Sequence, residues 1–340
     1  MSAEEQPSSK RKRVDSLEDV VDPVRSDVWY DDGNIVLQAQ NTQFKVYRGI
    51  LARSSPVFKD MFMLPQPPTE DTQLVEGCPV VKLFDSAEEV RYILRALSGQ
   101  RLKVFPHNCK MSFAEFAAFL CLGQKYDIQE LYLEAKRRLF ALCPATLDAY
   151  PSFPQEFDWG EIEPPEGELM QLIILGRRAG LLSILPSALY EICMMYTTDG
   201  IIDGTTTSDG SVIRLSHQDQ LACLAGFRGA IYGQAETSFR WIWDPEPLSP
   251  NCATPQDCQR ARRHIGGTMI SASSPIIALV LLDHIPVDET YLRICQACNE
   301  AAYASHLAGR IEFWERLPVM FGLPPWTELL KERKEADIQA

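Results

Sequence analysis

This sequence predicts an α+β N-terminal domain, a small sheet flanked by helices, followed by a mainly α-helical C-terminal region. Three observations carry that expectation. Two short runs read as strands: Asn34 to Gln40, with its apolar Ile35-Val36-Leu37, and Thr42 to Arg48, which alternates around Phe44 and Val46. From Ser86 to Leu142, apolar residues recur at helical spacing in three successive segments. After residue 165, helical faces return and alternation does not.

Residues 1–24 are polar and charged, with one basic run, Lys10-Arg11-Lys12-Arg13. So little apolar surface does not offset the entropy of ordering, so a disordered tail is expected. An accessible Lys/Arg run is also a nuclear-import candidate, the alternative being a solvated charge cluster. The two strand runs read as a hairpin turning near Gln40-Asn41. Ser54-Ser55-Pro56 then supplies a capping serine and a helix-initiating proline, followed by Val57, Phe58, Met61 and Phe62 at helical spacing. A Pro-rich acidic loop, Leu64 to Gly77, precedes a third apolar run, Val80 to Phe84. Ser86 opens a helix with Glu88 and Glu89 favourably placed against the helix dipole and Val90, Ile93, Leu94 and Leu97 on its apolar face. Phe113, Phe116, Ala117, Leu120 and Cys121 mark the next helix. Ile128, Leu131, Tyr132, Ala135, Leu139 and Leu142 mark the one after.

Several separated pieces, in this order, resemble one family. Ser26-Asp27-Val28, then Phe44 through Phe58 with Gly49-Ile50-Leu51-Ala52-Arg53-Ser54-Ser55-Pro56 at its centre, then Met61-Phe62, and later Lys125-Tyr126-Asp127-Ile128 with Leu131, are similar to BTB/POZ domains. The likeness covers residues 25–142. Phe313-Trp314, Leu317-Pro318 and Phe321-Gly322-Leu323-Pro324-Pro325-Trp326 extend it to BTB-containing proteins of basidiomycete fungi. Many BTB domains carry His where this chain has Tyr47, so no role tied to that imidazole transfers. The resemblance implies a surface for self-association, here a homodimer, and for recruiting protein partners, with no catalytic residues. Phe113-Ala114-Glu115 matches a hydrophobic-x-acidic triplet of cullin-binding members. An alternative role is therefore substrate adaptor of a cullin-type ubiquitin ligase, with Phe113 and Glu115 as partner-binding residues. A nuclear transcriptional regulator is a further alternative.

Composition narrows the classes. The 340 residues are 46% hydrophobic and 23% charged, with a net charge of -13, and a chain this acidic repels phosphate backbones. No finger or helix-turn-helix pattern offsets that, so direct nucleic-acid binding is not expected. The longest clean apolar run, Ile276 to Leu282, is far short of the roughly 20 residues of a membrane span. With no secretory leader and ten dispersed cysteines, an intracellular protein, nuclear or cytoplasmic, with reduced thiols is expected. Searches for a nucleophile elbow, a P-loop, a dinucleotide fingerprint and a zincin helix find nothing, so no enzyme is expected.

In residues 143–340, Leu169, Leu172, Ile173 and Gly176 share one helical face, and Leu185, Ala188, Leu189 and Ile192 another. Asp199 to Gly210 reads as a flexible surface loop lacking the ligand pattern of an EF-hand. Four cysteines stand apart. Thr254-Pro255 with Asp257 marks a helix start, placing Cys252 just before it and Cys258 in its first turns. Cys295 and Cys298 share a face if their segment is helical. Four thiolates suit one structural zinc. The other reading is buried free thiols, and a C-x5-C pair far from a C-x2-C pair is looser than established finger spacings. His306 and His264 are excluded as ligands by distance and by face.

Overall fold

The computed structural model describes residues 22–64, 74–99, 110–151, 157–270, 276–285 and 294–337. The basic run Lys10–Arg13 and most of the Pro-rich loop lie outside them. A five-stranded sheet comes first, in the order β1-β3-β2-β5-β4. β2 (Ile35–Ala39) and β3 (Thr42–Val46) form the expected hairpin, with Ala39 opposite Thr42. Gln40 sits at φ 51°, the left-handed conformation that so tight a turn requires. β1 (Val24–Trp29) runs parallel to β3 on one edge. Between β3 and β5 the chain crosses over through α1 (Arg48–Ser54) and α2 (Pro56–Met63), which lets β5 (Cys78–Leu83) pair parallel to β2. β4 (Leu74–Val75) closes the other edge.

Ser55 holds this unit together. Its Oγ accepts from the backbone N–H of Phe58 at 3.0 Å, capping α2 with Pro56 as first helical residue. It also donates to the carbonyl of Tyr126, 71 positions along the chain. Phe58 stacks on the Tyr126 ring with centroids 4.5 Å apart, and the Tyr126 hydroxyl donates to Asp85. Tyr126 follows α4 (Phe113–Lys125), which lies between α3 (Ala87–Leu97) and α5 (Gln129–Leu142). A bridge from β6 (Met111–Ser112) to β7 (Ile162–Glu163) leads into the C-terminal half.

The main core does not stop at residue 142. It runs without a break from Val28 to Leu329. α6 (Glu168–Ala179) packs on α4, and Arg178 pairs with Glu89 of α3. α7 (Leu185–Met195) follows. Where a flexible loop is expected, the chain instead forms α8 (Thr198–Asp203) and a hairpin of β8 (Thr205–Thr206) with β9 (Val212–Ile213). The reason is local: Thr197 Oγ1 caps α8 through the Gly200 N–H at 3.2 Å. α9 (His217–Glu236) and the 25-residue α12 (Gln296–Met320) then pack together, with α10 (Arg240–Trp243) and α11 (Pro255–Ile270) beside them. α13 (Trp326–Leu329) and α14 (Lys331–Asp337) return to the core, and Arg333 donates to the carbonyls of Phe140, Cys143 and Ser183.

Residues 276–285 thread between these helices with little regular structure, and Ile276, Ala278, Leu279 and Val280 are buried. Side chains supply the missing hydrogen bonds. Gln234 Oε1 accepts from the Ile277 N–H at 3.1 Å, Ser238 Oγ donates to Ala278 O at 2.7 Å, and Arg310 Nε to Leu279 O at 2.9 Å. His306 lies with Nδ1 2.9 Å from Ser238 O and Nε2 2.9 Å from Val280 O. A neutral imidazole has one N–H and donates to one of these; the imidazolium donates to both. Burial opposes the charged form and wins, holding His306 below its ordinary value. Among the described residues, no helix is long and apolar enough to cross a membrane.

Two tests follow from this packing. A Cβ on Gly309 of α12 would sit 2.4 Å from the backbone of Thr237, which cannot swing aside as a side chain would. Gly309→Ala is therefore expected to destabilise by about 1–3 kcal/mol in urea unfolding. For His306, the folded chain resists protonation while the unfolded chain accepts it near pH 6.5, so the stability it contributes is present above that pH and lost as pH falls. His306→Gln should be less stable than the parent at pH 7, with the gap narrowing toward pH 5.

Candidate metal centre

The four cysteines singled out by sequence converge. Cys252 closes a turn whose backbone N–H bonds Ser249 O. After two intervening residues, Ala253 and Thr254, Pro255 opens α11, which sets Cys258 in the first turn, where its N–H bonds Thr254 O at 2.9 Å. Cys295 is the N-cap residue of α12 and Cys298 lies in its first turn. All four sulfur atoms lie within 4.8 Å of one another. Cys295 and Cys252 are 3.8 Å apart, the separation expected of two ligands about 2.3 Å from one tetrahedral ion. Cys258 and Cys298 are buried, and Cys252 and Cys295 are half-buried.

The surroundings favour sulfur as an acceptor. The Cys295 N–H donates to Cys258 Sγ at 3.3 Å, and the Thr254 hydroxyl lies 3.4 Å from the same sulfur. Backbone N–H groups of Cys298 and Ala253 hold the Cys295 thiol down to about 6, the effect expected at a helix N-terminus. Burial pushes Cys252 and Cys298 the other way. Such a set is costly as four bare thiolates. A divalent cation at its centre removes the mutual repulsion and uses every sulfur.

The site also sits where packing is thin. A second apolar cluster, separate from the main core, contains Cys258 and Cys298 with Phe239, Trp241, Ile242, Ile265 and Ile294. α10 touches both α11 and α12. Buried Arg262 ties α11 to the α10 region by donating to Trp241 O at 2.8 Å and Glu246 O at 2.9 Å. The cysteines are the principal link between α11 and α12 themselves. Neither His264 nor His306 joins the quartet, as expected. Sequence reasoning missed the Thr254 hydroxyl as a sulfur partner, having read Thr254 only as part of a helix start.

No family model matches this chain, and no curated protein matches it either.

The other residues singled out do not form a common surface. Phe113 is half-buried at the start of α4, with its ring 5.9 Å from Trp159 and 6.1 Å from Phe116. Glu115 is buried, and its N–H is capped by Ser112 Oγ at 3.3 Å. Ala114 between them is exposed, so the triplet spans the boundary between core and surface at the start of α4.

Proposed function

We propose that this protein is an interaction scaffold built on a BTB/POZ-type N-terminal unit that self-associates and recruits protein partners. The observation that carries the reading is the meeting of two separated segments that resemble BTB/POZ domains. Ser55 and Phe58, from the first, pack on Tyr126, from the second. The element order supports it as well: a hairpin, two crossover helices, a parallel third strand and three further helices. Self-association has a candidate surface at α2, where Val57 in its first turn and Leu64, the C-cap residue just past its end, are both exposed. The full chain should sediment as a dimer at micromolar concentration, and the double substitution Val57→Glu, Leu64→Glu should shift it toward monomer. A parent chain that stays monomeric at high concentration removes the self-association claim.

A second reading, favoured by the converging thiols, adds a structural zinc held by Cys252, Cys258, Cys295 and Cys298. Four protein ligands leave no open position for a reacting water, so the ion serves folding. It clamps α11 to α12 where the apolar cluster is too small to do so unaided. Protein purified without chelator should carry one equivalent of zinc, and Cys295→Ser should lose it and melt at lower temperature. Less than a tenth of an equivalent, with unchanged melting of Cys295→Ser, ends this reading.

A further inference from the structure

A cavity of about 330 Å³ opens between the end of α5, the turn around Tyr150, α7 and residues 279–280. That volume is within the range of small-molecule sites. Much of its wall is apolar or aromatic, and its charged members are Asp158 at the rim and Glu191 on α7. No basic side chain lines it among the described residues. Glu191 accepts from the Tyr150 hydroxyl, and no cationic side chain pairs with it among the described residues. Tyr190, wholly buried, also lines the cavity, and its hydroxyl makes no hydrogen bond among the described residues.

We propose that this cavity binds a small organic cation: an amine carrying an apolar or aromatic body. The chemistry of the wall selects the class. An anionic guest meets two carboxyl groups and no compensating cation. A neutral apolar guest displaces water from Glu191 and returns nothing to its second oxygen, a costly desolvation. An ammonium group returns a charge-assisted hydrogen bond to that carboxylate. The rings of Tyr150, Tyr190 and Phe157 present aromatic faces of the kind that attract cations. The body of the ligand then covers Leu142, Met194 and Leu279. Burial pushes the Glu191 carboxyl upward while the Tyr150 bond opposes the shift, and a cation beside it favours the charged form. The chain's net charge of -13 draws cations toward the surface in general. The cavity adds shape and a half-buried carboxylate to that attraction. The proposal is independent of the zinc and of self-association, because none of the cavity residues belongs to the quartet or to α2.

Titration calorimetry on the full chain at pH 7 tests it with three probes of one shape: 2-phenylethylamine, 2-phenylethanol and 3-phenylpropionate. The amine should bind about tenfold or more tightly than the alcohol, a difference of about 1.4 kcal/mol, and the carboxylate should not bind. Glu191→Gln keeps an oxygen to accept from Tyr150 and removes the charge. It should erase the preference for the amine while leaving the melting temperature and near-ultraviolet circular dichroism close to those of the parent. Met194→Trp, at a half-buried wall position, should fill the space and abolish binding of both the amine and the alcohol, which decides the matter if Glu191→Gln fails to fold. Absence of amine binding at millimolar concentration overturns the proposal. So does equal binding of amine and alcohol by the parent, or an amine preference that survives both substitutions.

Discussion

The buried passage of residues 276–285 is the constraint on which the C-terminal half depends. An irregular segment carries a donor and an acceptor at nearly every residue, and each must be matched once water is excluded. Here the matching groups come from two helices: Gln234 on α9, Ser238 just after it, and His306 and Arg310 on α12. α9 and α12 must therefore lie close and in one register. Gly309 is the residue that permits this, since any side chain there would strike the Thr237 backbone. The helix pair, the threaded segment and the polar belt are one solution, and loss of any member leaves buried backbone N–H or C=O groups without partners, at about 1–3 kcal/mol each.

The same belt divides α12 into two functional halves. Phe313, Trp314 and Leu317 belong to the main core, whereas Cys298 and Ala302 belong to the small second cluster. At 25 residues, the helix spans about 37 Å, long enough to serve both. The large core needs no further fastening. The small one has a few aromatic and aliphatic side chains and a buried arginine, and small cores gain most from a metal or another cross-link. A proposed zinc at its edge answers a shortage of apolar burial, which accounts for four thiols converging there and not in the main core.

Local features of the fold were legible in the sequence, and long-range ones were not. The hairpin at Gln40-Asn41, the cap at Ser55-Pro56 and the start of α11 at Thr254-Pro255 depend on neighbouring residues, so their chemistry is written locally. The four cysteines were legible as a set because Cys252 and Cys258 flank a recognisable helix start and Cys295 and Cys298 sit three apart, but 36 residues separate Cys258 from Cys295 and spacing alone favoured buried free thiols. Periodicity said which faces were apolar and not what would cover them. α4 was read as one stripe, yet Ala118, Phe119 and Leu122 are buried as well as Phe116, Leu120 and Cys121. A helix apolar on so many sides is a sign of neighbours all round, and besides α3 and α5 it packs on α6, from beyond residue 142. Glu191 carried a similar unread sign: a lone carboxylate in the otherwise uncharged run of α7.

The division of α12 also determines how far a disturbance at the thiols spreads. Helical hydrogen bonds are local, so fraying from Cys295 advances turn by turn until a tertiary contact halts it. The first strong stop is His306 and Arg310, fixed to Ser238, Leu279 and Val280. Beyond it lie Phe313, Trp314 and Leu317 in the large core. Opening the quartet therefore releases the first turns of α12 together with α11, while the belt keeps the rest in place. Partial openings of this kind occur in contiguous units whose free energies lie below that of global unfolding. The α2 face proposed for self-association belongs to the main core, on the far side of that stop. The proposed metal and the proposed self-association would thus act on separate parts of the fold.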